Sequence, residues 1–396
     1  MPDFFSDDMR RNPFPLYAQL RAASPVFRVP PPFDAWLILD YDTVRKALDD
    51  PQKFSSAVPG PRNWFILQDA PRHTQLRLLI AKAFTPRVVA NLEPRIRELS
   101  KRLLTPLLNR GEIDLATDYA VPLPMRVIAE MIGIPADDWE RFWQWSNTIL
   151  RISYTRSGGP EAEASLAAFI ATTGEMNDYL THMIARRTAD PRDDLLTRLI
   201  QAEVDGRRLT QEEILGFFQL LVVGGQETTA NVINNAILCL CEHPDQFARL
   251  RSNLDLLPGA IEEVLRYRSP IQWLMRTPKR DLELHGQTIP AGKLVLLMLG
   301  SANRDPRQFP DADRFDIART PNPHIAFGHG VHFCLGAALS RMEARVALTD
   351  VLQNLRDLRL TSSEPWEPRK ALHIHGPASL SVAFIPATAG FPSSTG

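Results

Sequence analysis

Cysteine is scarce in this chain of 396 residues: there are three, Cys239, Cys241 and Cys334. An odd, sparse count argues against a disulfide framework and fits a reducing cytoplasm, where the protein is expected to reside. The N-terminus, Met1 to Asp8, has no apolar core and no basic flank, so neither a signal peptide nor a membrane anchor is expected there. An excess of either charge is also missing. The 45 lysines and arginines face 46 aspartates and glutamates, for a net charge of −1. Bulk charge therefore gives no reason to expect nucleic acid or an anionic membrane as partner. Repeats, low-complexity tracts and linker-like stretches are absent. What is present, 44% hydrophobic and 23% charged residues, reads as one globular, monomeric domain over residues 1–396, with mobile ends at 1–10 and 388–396.

Helical periodicity dominates from about residue 72 to 268. Apolar residues recur at three-to-four spacing over Leu92–Leu108, Val121–Ile132, Asp137–Ile152 and Glu161–Arg187. Thr210 and Glu213 have the spacing of a capping box. With no proline before Pro244, the helix they open is expected to run about 30 residues, roughly 45 Å. Short β-like runs bounded by Pro, Gly and Asp lie at Val26–Val29, Trp36–Leu39, Leu294–Leu299 and Leu380–Phe384. Asn303–Pro323 has no period, but Phe309, Phe315 and Ile317 can anchor it as an ordered meander. The fold class is thus mainly α with a small β-rich part and a long central helix.

One cysteine stands out by its surroundings. The run Phe327-Gly328-His329-Gly330-Val331-His332-Phe333-Cys334-Leu335-Gly336 puts a single thiol on a glycine-bent loop, ahead of helix-forming Ala337–Ala344. A lone thiolate is a soft ligand, and haem iron is one of its natural partners. Glycines such as Gly328 and Gly336 allow unusual dihedrals and close approach beneath a flat macrocycle. Phe327 would shield the sulfur, His332 would point a donor at a propionate, and backbone N–H groups would stabilise the charge. The run resembles the haem-binding loop of the cytochrome P-450 family, Phe-x-x-Gly-x-His/Arg-x-Cys-x-Gly. The resemblance implies a cytochrome P-450 fold of the soluble bacterial type, with haem b as cofactor and Cys334 as the iron ligand.

Three further constellations follow the family's order. In the central helix, Gly224-Gly225-Gln226-Glu227-Thr228 resembles the oxygen-binding motif Ala/Gly-Gly-x-Asp/Glu-Thr. Two helical glycines cost about 1 kcal/mol each. A flat ligand against the backbone at Gly225, or a local widening that bares a carbonyl, would account for them. Glu227 and Thr228 are the expected catalytic pair, an acid and a hydroxyl able to hold a proton relay. Glu263 and Arg266 share a helix face. The resemblance implies that they lock the meander through a third arginine, Arg319 or Arg314. His73 and Arg77 also share a face, and the resemblance implies that they hold the propionates with Arg276 and His332.

By position in the family, the substrate pocket is expected at Trp64, Phe65, Ile66, Tyr154, Val223, Gly224, Ile271, Trp273, Leu274 and Ile374, an apolar and aromatic set. His373 and His375 are expected in a turn near the substrate. His324, His329, His332 and Cys334 lack the paired spacings of structural zinc. The implied activity is a haem-thiolate monooxygenase that activates O2 with two external electrons and hydroxylates or epoxidises an apolar small molecule. No flavin or iron–sulfur segment is present, so a ferredoxin or flavodoxin with its NAD(P)H-dependent reductase is the expected partner. It would dock near Lys82, Arg87, Arg341 and Arg345. A peroxygenase or isomerase on the same fold, and a non-catalytic haem sensor, are the alternatives.

Overall fold

The structure is a computed structural model that describes residues 6–31, 34–58, 63–150, 159–362 and 364–387. Eight helices carry the argument: α1 (Arg72–Ala83), α2 (Glu93–Leu104), α3 (Pro122–Ile132), α4 (Trp139–Leu150), α5 (Gly159–Ala189), α6 (Gln211–Glu242), α7 (Leu257–Tyr267) and α8 (Ala337–Asn354). At its N-terminus the central helix α6 has the capping box read from sequence. Thr210 Oγ1 accepts from the Glu213 amide at 3.3 Å, and Glu213 Oε2 accepts from the Thr210 amide at 2.9 Å. It ends at His243, where Pro244 cannot continue it. Its 32 residues pack against α3, α4, α7 and α8, so it is apolar on several faces instead of one. The largest core cluster forms around it, with Phe218, Ile233 and Ile237 against Leu104, Leu123, Ile128 and Val346.

Two of the four sheets among the described residues carry the argument, built from β1 (Val26–Val29), β2 (Ala35–Ile38), β3 (Phe54–Ser55), β4 (Glu112–Asp114), β5 (Leu274–Pro278), β6 (Leu294–Leu297), β7 (Leu355–Leu360) and β8 (Ser381–Pro386). The first has the order β1-β2-β6-β5-β3. Its β6 runs parallel to β2 (Val295 opposite Trp36) and antiparallel to β5 (Leu296 opposite Met275). The second has the order β7-β8-β4. All four expected strands are present, displaced by one or two residues at some ends. Residues 7–10, expected in a mobile end, instead belong to a helical turn, Asp7–Arg11, capped by Ser6. Arg11 ties that turn down. Its Nη1 donates to the Trp366 carbonyl at 3.3 Å, and its own carbonyl lies 3.1 Å from His375 Nε2. The other expected mobile end, 388–396, lies outside the described residues, as does Tyr154.

A buried ion-pair lock holds the meander. Arg266 donates to both carboxylate oxygens of Glu263 at 2.8 Å, and both side chains are fully buried. The remaining Arg266 donors reach the carbonyls of Asn303 (3.0 Å), Ala312 (2.7 Å) and Arg314 (3.1 Å). Arg319 is the third arginine, with Nε 3.2 Å from Glu263, while Arg314 contributes only its carbonyl. Phe309, Phe315 and Ile317 anchor the same segment in the core. Removing one partner of a buried pair strands the other. Arg266→Leu is therefore expected to lower stability by about 3–5 kcal/mol, read as a lower urea midpoint. Arg319→Leu, at the more exposed partner, should cost less. An unchanged midpoint for Arg266→Leu would contradict the lock.

Candidate active site

The cysteine loop is bent by two left-handed glycines, Gly328 (φ +71°) and Gly330 (φ +66°). Gly330 also allows close approach, since a Cβ there would lie 2.8 Å from the Leu48 carbonyl. The loop closes on itself through the Cys334 amide, which donates to the Phe327 carbonyl at 2.9 Å. Phe327 is half-buried, under the Arg341 guanidinium 4.5 Å from its ring. Cys334 is accessible to solvent, yet burial pushes its thiol pKa up. The two facts agree if the sulfur lies within the protein body and opens onto a cleft. Opposing the burial, the Gly336 and Ala337 amides and the charges of Arg77 and Arg341 favour the thiolate.

Beside this loop the structure gathers two arginines and two histidines. The rings of His73 and His332 are 3.8 Å apart, and Phe65 stacks on His73 at 5.8 Å. Arg77 Nη2 donates to the Phe333 carbonyl at 2.6 Å, tying α1 to the cysteine loop. Arg276, on β5, donates to the Met275 carbonyl. Burial pulls the Arg276 pKa down to about 10. Burial, then the charge of Arg77, holds His73 at about 4. Burial, then His73, Arg276 and Arg77, holds His332 at about 3. Among the described residues the carboxylate acting on this group is Asp69, which already serves Ser55, the Ser56 amide and Lys279. His73 Nε2 is buried and unpartnered. Two arginines and two histidines packed together with so little negative charge suit a dianionic group such as a pair of propionates. With the accessible thiol of Cys334, this donor set fits haem.

The central helix presents its motif differently from one of the two expectations. It is continuous through Gly224 and Gly225, with no widening; the π turn lies at Ala116–Ala120 instead. The two glycines face apart, as about 100° per residue requires. Gly224, in mid-helix, is exposed, and a Cβ there would meet nothing within 4 Å. A Cβ on Gly225 would come within 2.8 Å of Ile128. The open side is therefore Gly224's, and Gly225, expected against the cofactor, packs on α3 along that direction. Thr228 Oγ1 donates to the Gly224 carbonyl at 2.5 Å, which leaves its lone pairs free to accept. Glu227 is buried, which raises its pKa; Arg369 opposes the shift. No sequence signal pointed to Arg369, nor to Ser56, whose hydroxyl lies 3.0 Å from His332 Nε2.

Other expectations fare unevenly. Trp64 and Phe65 are buried, with Trp64 Nε1 bonded to Gln219 at 3.0 Å, while Ile66 is exposed. Leu274 would touch a Cβ on Gly328 at 3.7 Å, and Ile271 and Val223 are half-buried. Trp273 and Ile374 line a separate apolar cavity of about 100 Å³ with Tyr17 and Leu37. Ile374 also forms an isolated antiparallel bridge with Ile271. His375 is fully buried between Phe14 and Trp366, a core histidine. His324, His329 and His332 each have a different partner, Glu262, Asp49 and Ser56. Arg341 and Arg345, expected near the docking surface, are paired with Glu262 and Glu93 at 2.7 Å. Lys82 bonds the Glu203 carbonyl, and Arg87 is exposed.

Comparison with known proteins agrees with this geometry. The cytochrome P450 family model matches residues 166–375. Cytochrome P450 107B1 of Saccharopolyspora erythraea is 40% identical over 388 residues, covering 92% of this chain and 93% of that one. The structure of CYP109Q5 from Chondromyces apiculatus superposes with a TM-score of 0.90 at 37% identity, over 98% of this chain and 99% of that one. That of CYP109E1 from Bacillus megaterium in complex with testosterone gives 0.87 at 36% identity, over 94% and 99%.

The two glycines should respond unequally to a methyl group. Gly224→Ala fills open space and removes a helical glycine, so the unfolding midpoint should rise, equivalent to at most about 1 kcal/mol. Gly225→Ala meets Ile128 Cδ1, the far end of a side chain that must turn aside, so its midpoint should rise less than that of Gly224→Ala or fall below the parent's. Thermal unfolding of both variants in the opposite order would contradict the facing assigned to them.

Proposed function

The chain belongs to the cytochrome P450 family, and from that premise we propose that it inserts one oxygen atom of O2 into an apolar small molecule, using two electrons from an outside donor. It is a monooxygenase of the oxidoreductase class with haem b as cofactor, and we assign the activity to a single domain. The observation that carries this reading is the desolvated pair Arg77 and Arg276, packed with the neutral imidazoles of His73 and His332 beside the accessible thiol of Cys334.

Haem, bound, supplies the chemistry of oxygen activation. Cys334 would hold its iron, with the Gly336 and Ala337 amides favouring the thiolate against the burial that favours the thiol. His73, His332, Arg77 and Arg276 would take the propionates. Gly328 and Gly336 keep the loop bare on the cofactor side, and Phe327 excludes water from the sulfur. On the opposite side, Gly224 leaves room, Thr228 accepts a hydrogen bond from water through its free lone pairs, and Glu227 supplies protons. Its burial favours the neutral form, which is the form that can donate.

An apolar substrate is supported by the aromatic residues Trp64 and Phe65 near His73, and by the testosterone bound in one structural neighbour. We place the protein in the cytoplasm; among the described residues no helix is long and apolar enough to cross a membrane. A ferredoxin or flavodoxin with its reductase is the proposed electron source, docking on the thiolate face, where Lys82 and Arg87 remain without a carboxylate partner among the ion pairs of the described residues. Testosterone is the first probe. Turnover should require NAD(P)H, reductase and ferredoxin, and mass spectrometry should find one atom of ¹⁸O2 in the product. A product formed with hydrogen peroxide alone, at equal rate and without reductase, would make the protein a peroxygenase.

A further inference from the structure

One region of the interior concentrates polar atoms that no protein group satisfies. Both side-chain atoms of Asn231, Oδ1 of Asn235, Nε and Nη1 of Arg268, and Nε and Nη2 of Arg369 are buried and unpartnered. These residues adjoin one another. Asn231 Oδ1 rests against Gly376, where a Cβ would lie 2.3 Å away, and the Gly376 carbonyl accepts the Arg369 amide at 3.0 Å. Arg369 is the charged group acting on Glu227. One turn beyond Asn231, the Asn235 amide donates to the carbonyls of His375 (3.0 Å) and Arg268 (3.1 Å). Arg268 then donates to both oxygens of Glu242, at 2.7 and 3.0 Å, where the Glu242 side chain is 34% exposed.

Glu227, Asn231, Asn235 and Glu242 fall within an arc of about 80° on the central helix and along about 22 Å of it. They form one stripe from beside Thr228 to the protein rim. A buried polar atom left unpaired costs about 1–3 kcal/mol, and native interiors hold few of them. Donors and acceptors massed in one strip are the lining that bound water satisfies, since a buried water makes about three hydrogen bonds. A dry cavity would be lined by apolar side chains.

We propose that the strip Glu227–Arg369–Asn231–Asn235–Arg268–Glu242 is hydrated and returns protons from the Glu242 rim to Glu227. This rests on the reading of Glu227 and Thr228 as the proton-supplying pair, and adds how Glu227 is refilled. Monooxygenation consumes substrate, O2, two electrons and two protons, and yields hydroxylated product and one water. The outside donor supplies the electrons. Glu227 releases a proton toward Thr228, its anion is stabilised by Arg369, and the deficit moves outward from water to water until solvent at Glu242 fills it. The two arginines keep their charge throughout; they orient water by donating to it and favour the passage of a deficit over that of an excess proton. Arg369, Asn231 and Asn235 are positioning residues in this scheme.

The test compares Asn231→Leu with Thr228→Ala and Glu227→Gln in the holoenzyme, with testosterone as the probe. All three should bind haem normally by their carbon-monoxide spectra. Asn231→Leu should raise the hydrogen peroxide released per NAD(P)H several-fold and enlarge the solvent deuterium isotope effect on turnover. Arg369→Leu, at a half-exposed loop, should do the same and serves if Asn231→Leu does not fold. A high-resolution crystal structure of the parent protein should place ordered waters on Asn231, Asn235 and Arg369. If Thr228→Ala and Glu227→Gln uncouple turnover while both strip variants stay coupled, the route is wrong and the catalytic pair stands. If no variant uncouples, the pair fails and the route with it. A strip without water in the crystal overturns the route by itself.

Discussion

A buried carboxylate that stays ionised must be met by cations, and Glu263 on α7, with its half-buried neighbour Glu262, organises the region that holds the cysteine loop. Glu263 faces inward and takes Arg266, Arg319, the Asp316 amide and Asn322. That network ties α7 to the meander, and the meander leads into the loop. Glu262, its neighbour, faces the other way and takes Arg341 and His324. Burial works against its ionisation, yet those two partners hold its pKa at about 2. His324 precedes the loop and Arg341 follows it. The loop that carries Cys334 is therefore clamped at both ends by one turn of one helix. A thiolate that must hold an iron atom in fixed geometry needs such support, because the loop itself is bent by glycines and has little stiffness of its own.

The other half of the site obeys the opposite rule. At the lock, negative and positive charge balance inside the protein. Around His73 and His332 they do not, and Arg77 and Arg276 have no free carboxylate to meet. An imbalance of this kind destabilises the protein alone and stabilises a bound dianion. The central helix repeats the contrast: apolar around Phe218 and Ile237, polar and unsatisfied around Asn231 and Asn235. Where polar groups in this core lack partners, function is the physical reason to keep them.

What could be read from the sequence was what depends on neighbours in the chain. Thr210 and Glu213 are three residues apart, and the cap they form is local, so its spacing disclosed the start of α6. The run Leu294–Leu297 is continuously apolar because its strand is flanked on both sides, which made it visible as a strand. The cysteine loop was legible for the same reason: Gly328, His332 and Cys334 act within ten residues. The choice between Arg319 and Arg314 was not legible. Both lie in a segment without period, and only tertiary packing sends one side chain and the other's carbonyl to the lock. The partners of Arg341 and Arg345 were not legible either, because Glu262 and Glu93 are remote in sequence. The opposite facing of Gly224 and Gly225 needed Ile128, a residue on another helix, before it could be assigned.

The most direct test of the account is the absorption spectrum of the reduced, carbon-monoxide-bound protein, set beside that of Cys334→Ser. A Soret band displaced far to the red in the parent, and lost in the variant, is the expected result, because only a thiolate opposite carbon monoxide produces it. A band at the position of histidine-ligated haem in the parent, or a red-shifted band that survives in Cys334→Ser, would contradict the assignment of Cys334 as the iron ligand.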